Sequence, residues 1–132
     1  MSDAEDKGLA LFAEIYGQEA ADGTREWYRK GEGFGVEQGR WTMEWAFGSV
    51  WTREGLDRRS RSCAVLGMLI GQGASEEIRY HTRMGLKNGL TRTEIEEIFY
   101  SAIPYAGFPK AATAKRAMLL GFEDYDKQEN EQ

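Results

Sequence analysis

Apolar residues recur at three- and four-residue steps along most of the chain, the spacing that lines one face of an α-helix. Leu9, Phe12, Ile15 and Tyr16 predict a first helix, which Ser2 or Asp3 can cap. GQEAADG at 17–23 is expected to break it, a short helical piece follows over 24–30, and GEGFG at 31–35 reads as a flexible connection. Residues 36–51 (VEQGRWTMEWAFGSVW) predict a helix with an aromatic side that carries Trp41 and Trp45, with Phe47 or Trp51 as a further member. After a turn at 52–57, Asp57 is placed to cap a helix running to about Gln72. That helix is polar at its start and almost wholly apolar from Cys63 to Ile70, so its second half is expected to be buried.

Ser75, followed by Glu76 and Glu77, opens the next helix, and KNG at 87–89 stops it at Gly89. Thr91 and Glu94 have capping-box spacing and open another, with Ile95, Ile98, Phe99 and Ala102 on one side. Pro104 is expected to kink or end it, residues 105–109 to connect, and a last helix to run from about Pro109 to Leu120. Residues 123–132 read as a polar tail. No stretch alternates as a half-buried strand does, and no internal repeat is visible. The expectation is an all-α fold: a bundle of about six helices forming one domain over residues 1–132.

Composition narrows the partners. A chain of 132 residues with 41% hydrophobic and 30% charged residues resembles ordinary soluble domains. Its net charge of −5 argues against a nucleic-acid partner, because phosphate backbones select basic surfaces. The single cysteine, Cys63, has no internal partner for a disulfide, and the first residues do not resemble a signal peptide. The longest apolar run, 64–70, is too short to span a bilayer. A cytoplasmic protein with neither membrane nor nucleic-acid partner is expected.

Candidate chemistry centres on the only histidine, His81. Ile78, His81, Gly85 and Gly89 follow helical steps, which turn the imidazole toward the apolar side. Gly85, one turn on, is expected to leave room beside the ring, and Glu77, one turn back, to hydrogen-bond a ring nitrogen. On the residues alone, a packed histidine and a catalytic one both stay open. No second histidine and no defensible spacing of acids supports a metal site. Cys63 reads as a small buried hydrophobe rather than a nucleophile, and GMLIG at 67–71 as a spacing that permits close helix packing. Arg58, Arg59 and Arg61 stand at a helix start, where the dipole disfavours cations; either they are a solvated surface, or a carboxylate partner, from protein or substrate, compensates.

The order of motifs FGSVWTREGLDRRSRS (47–62), EEIRYHTRMGLKNGLTRTEI (76–95) and YAGFPKAATA (105–114) resembles the carboxymuconolactone decarboxylase family, most clearly over 36–120. The resemblance implies an alkylhydroperoxidase-like all-helical subunit, assembled as a homo-trimer or homo-hexamer with active sites near subunit contacts. Thiol peroxidases of the same superfamily carry a Cys-x-x-Cys pair where this chain has Ala74 and Glu77, and a glutamate near the position of Ser62. Their redox chemistry is therefore not expected here. Ser49 and Glu54 also depart from the decarboxylase pattern. The implied reaction converts 4-carboxymuconolactone, a carboxylated lactone, to the enol-lactone of 3-oxoadipate in protocatechuate breakdown, a step that suits a site with neither metal nor organic cofactor. On this reading His81 donates a proton, or a hydrogen bond to the developing oxyanion. Glu44 is a second acid/base or orienting group, Arg61 binds a substrate carboxylate, and Trp51 and Tyr105 line the pocket. The rivals are a decarboxylase of another unsaturated or polyketide-type acid, and a non-catalytic helical oligomer that binds a partner protein through its Trp-rich face.

Overall fold

The computed structural model describes residues 2–131, which form seven α-helices and one π-helix; among the described residues there is no strand. They are α1 (Asp3–Tyr16), α2 (Gln18–Lys30), α3 (Glu37–Trp41), the π-helix (Thr42–Trp51), α4 (Arg58–Gln72), α5 (Ser75–Lys87), α6 (Arg92–Ala106) and α7 (Phe108–Asn130). The backbone gathers into two compact units, Met1–Asp57 and Arg58–Gln132. Among the described residues no helix is long and apolar enough to cross a membrane.

The first unit is built on α1 and the π-helix. Ser2 caps α1 by accepting from the Glu5 amide at 3.1 Å. Leu9, Leu11 and Ile15 on α1, with Met43, Phe47 and Trp51 on the π-helix, are buried. Two glycines let these helices meet backbone to backbone. A Cβ on Gly8 would overlap the Met43 carbonyl, and one on Gly48 would overlap the carbonyl of Ala4. The buried Tyr28 hydroxyl of α2 donates to the buried Glu5 carboxylate at 2.5 Å; desolvation first, and this contact second, raise the phenol's pKa well above its usual value.

Three expectations change in this unit. Gly17, at φ 102°, is itself the break, so α2 starts at Gln18 rather than near residue 24. The predicted 36–51 helix changes register at Thr42 from α to π, where each amide bonds five residues back. The aromatic side divides into two pairs: Trp41 and Trp45 are 56% and 71% exposed, while Phe47 and Trp51 turn inward.

In the second unit Leu66, Ile70, Ile78, Leu90, Ile95, Ala114, Ala117 and Met118 form one core. Thr91 and Glu94 complete the expected capping box at the start of α6. Arg59 ion-pairs with Glu94, so the carboxylate anticipated for the arginines of α4 comes in part from the protein itself. Pro104 does not end α6. It lies on the exposed side, where water can satisfy the carbonyl whose donor the ring removes, and the helix runs on to Gly107 at φ 95°.

Residues 123–130 are helical rather than a polar tail. Their acids have cationic partners on α5 and α6: Asp124 takes both Nε (2.6 Å) and Nη2 (2.8 Å) of Arg79, Asp126 takes Arg92 (2.5 Å), and Glu129 takes Lys87 (2.6 Å). The Arg79 guanidinium holds the Asp124 carboxyl below the usual carboxylate range. The expected burial of 63–70 is also corrected. Only Leu66 and Ile70 are fully buried, while Ala64, Gly67 and Met68 face outward.

Candidate functional site

Helix α5 places His81 on the side that also carries Ile78 and Thr82, both fully buried. The imidazole side chain is 15% exposed, and its Nδ1 is shut away from solvent. Burial pushes the ring's pKa down to about 4, because the charged form would lose its hydration. The Glu77 carboxylate, 3.9 Å from Nε2 and mostly exposed, is too far for the expected hydrogen bond. Desolvation decides, and the ring is neutral at pH 7.

The room anticipated beside Gly85 is filled by the core. A Cβ there would meet Leu90 Cδ1 at 3.1 Å, Leu66 Cδ1 at 3.6 Å and Ile95 Cδ1 at 3.9 Å. Two turns after His81 on the same face, Asn88 donates through Nδ2 to the buried Ser62 hydroxyl at 3.0 Å. This link fixes the C-terminal end of α5 to α4.

Linkage follows from the displaced pKa. Between the unfolded value of 6.5 and the folded value of about 4, the unfolded chain binds a proton that the folded chain refuses. Stability from this site is therefore complete above pH 6.5 and is lost as pH falls toward 4, by about 3 kcal/mol over the window. Urea unfolding of the native chain and of His81→Phe at pH 7 and pH 4.5 should show the native chain losing more. Equal losses would mean that the ring is hydrated.

The other candidate residues divide between the units. In the first, Glu44 is half-exposed and accepts from Arg40 Nη1 at 3.1 Å, while Arg40 also binds Glu37. Trp51 is buried. In the second, Arg61 is half-buried near the start of α4, with its Nε shut away from solvent. Tyr105 is 93% exposed and stands on the rim of a groove of about 800 Å³ between α4 and α6. Neither His81 nor Arg61 lines that groove, so Tyr105 is not brought to the histidine there. Its floor is Cys63, Gly67 and Gly71, one face of α4 at four-residue steps, opposed by Ile98, Ala102 and Ala106 of α6. Cys63 is thus half-buried on a groove rather than sealed in the core, and beyond the adjoining backbone of α4 no atom lies within 4 Å of where a Cβ on Gly67 or Gly71 would stand. The glycine spacing was visible in the sequence; the emptiness beside it was not. Among the described residues no group of three or more side chains is arranged to hold a metal ion.

Comparison with known proteins bears on this site. The model of the carboxymuconolactone decarboxylase family matches residues 37–119. The chain is 48% identical over 71 residues to a nitrosuccinic acid decarboxylase of Metarhizium robertsii, covering 54% of this chain and 50% of that protein. It is 29% identical over 118 residues to the 4-carboxymuconolactone decarboxylase of Acinetobacter baylyi, covering 89% of this chain and 86% of that one. An uncharacterized 15.0 kDa protein of Paracoccus denitrificans is 30% identical over 91 residues, covering 67% and 66%. The chain thus spans half the length of the first of these relatives.

Proposed function

The chain belongs to the carboxymuconolactone decarboxylase family, and on that premise we propose that it is a cofactor-independent decarboxylase of a small di-acid whose departing carboxylate is attached to a carbon conjugated, once carbon dioxide has left, to an electron-withdrawing oxygen group. The observation that carries this reading is the pair of relatives named as decarboxylases. Nitrosuccinate and 4-carboxymuconolactone share that design. Breaking the carbon–carboxylate bond leaves its electron pair on carbon, and the pair delocalises onto nitro oxygens in one and onto the lactone carbonyl in the other. A proton then adds at the carbon that lost carbon dioxide in the nitro acid, and at the carbon α to the carbonyl in the lactone, where the ring double bond moves to the carbon that lost it. In both substrates a second carboxylate stays behind and offers a handle for binding.

The protein's task is to hold the leaving carboxylate in an apolar setting and to stabilise the sink oxygen as charge builds on it. His81 suits the second task. A neutral imidazole donates an N–H hydrogen bond without placing a competing charge beside the substrate's carboxylates. Arg61 is the proposed anchor for the second carboxylate, since its guanidinium matches carboxylate geometry. The nitro di-acid is favoured by the 48% identity, and the lactone by coverage of 89% of the chain. Following loss of each compound by ultraviolet absorbance at equal enzyme concentration decides between them. Turnover of neither, nor of other activated di-acids, would overturn the reading. The subunit is proposed to act as a homo-oligomer.

A further inference from the structure

We propose that the groove between α4 and α6 receives helix α7 of a second copy of this chain; the inference rests on the homo-oligomeric reading and supplies its contact. The groove is too open for a core crevice and too apolar for a bare surface. Met68 beside it is 59% exposed, and Tyr105 on its rim is almost fully so. From Cys63 to Gly71 its floor runs for eight residues, about 12 Å of helix. The open space beside Gly67 and Gly71 lets a second helix approach at the short end of interhelical distances, about 8 Å.

Charge selects the occupant. Of the charged groups on the wall, Glu94 is engaged by Arg59 and Lys110 donates to the Gly71 carbonyl at 2.8 Å, but Glu97 makes no ion pair among the described residues. The outer face of α7 carries the complement: Ala112, Lys115, Arg116, Leu119 and Leu120 are all exposed, in helical steps over the same eight-residue length. Lys115 and Arg116 also have no ion pair among the described residues. Leu119 and Leu120 would enter the apolar trough while the two cations meet Glu97. Groove and stripe are different surfaces, so two copies can exchange them reciprocally about a two-fold axis, or copies can add head-to-tail until the rotation closes a ring.

Sedimentation of the full chain from 0.5 to 50 µM, without substrate, tests this. The native chain is expected to sediment as a closed oligomer. Gly67→Ala meets nothing within its own chain and adds a better helix former, so the dissociated subunit should melt no lower than the native one. Filling the floor should nevertheless raise the midpoint concentration of assembly at least tenfold. Glu97→Lys and Arg116→Glu should each do the same, and the two together should recover assembly. A native chain that stays monomeric at 50 µM overturns the proposal, and so does an oligomer indifferent to all these variants. Failure of the decarboxylase reading would appear in the absorbance assays and leave these masses unchanged.

Discussion

Gly48→Ala unfolds the first unit of the chain at temperatures where the native protein is intact. The new methyl group would occupy the position of the Ala4 carbonyl and lie 2.7 Å from the Met43 oxygen. Ordinary overpacking costs about 1–3 kcal/mol, because a side chain can rotate away. Here the obstacles are backbone atoms of α1 and of the π-helix itself, so whole helices must separate. The cost should exceed that range and take much of a typical 5–15 kcal/mol stability. Gly8→Ala meets the Met43 carbonyl from the other side and should act alike. Because both force apart the same pair of helices, the double variant should cost less than the sum of the two. All four tryptophans lie in this unit, and only Trp51 is buried, so a red shift of its emission reports the separation directly. Gly23→Ala serves as the control. It lies in α2 with nothing near its Cβ position, and should gain about 0.5–1 kcal/mol. A native-like emission and melting point for Gly48→Ala would show that the helices do not cross so closely.

The contrast between these glycines marks what was legible in the sequence. Helix starts written in local chemistry were found: the Ser2 cap, the capping box of Thr91 and Glu94, and the α4 and α5 spans. What depends on distant partners was not. Residues 123–130 read as a tail because their acids find Arg79, Lys87 and Arg92 only once α5 and α6 lie alongside. Nothing local announces that 42–51 winds as a π-helix. Glycine spacing alone failed to separate Gly8 and Gly48, where helices touch, from Gly67 and Gly71, where a groove stays open. At the candidate site, helical periodicity placed His81 on the apolar side of α5, and the structure shows it largely buried there. Its degree of ionisation was out of reach, because that depends on burial and not on the identity of its neighbours in sequence.

His81→Ala should lower kcat/KM for the accepted di-acid by about 10²- to 10⁴-fold, the range for a group that moves a proton or braces the transition state. That is about 3–5 kcal/mol of barrier. The two roles open to the ring separate in His81→Gln. An amide keeps an N–H donor but cannot titrate near neutrality. If the neutral imidazole braces the sink oxygen by hydrogen bonding, glutamine should recover at least tenfold over alanine; if the ring must pass a proton to carbon, glutamine and alanine should be equally poor. The pH profile of kcat/KM, which reports the free enzyme, gives a second view. With the ring's pKa held near 4 by burial, the profile should carry no histidine inflection near 6.5, and the ring's own titration should appear only about 2.5 units lower. An inflection near 6.5 that disappears in His81→Gln would place the imidazole in water and remove its apolar setting from the mechanism. Full activity in His81→Ala, with the fold intact, would move the chemistry elsewhere in the chain.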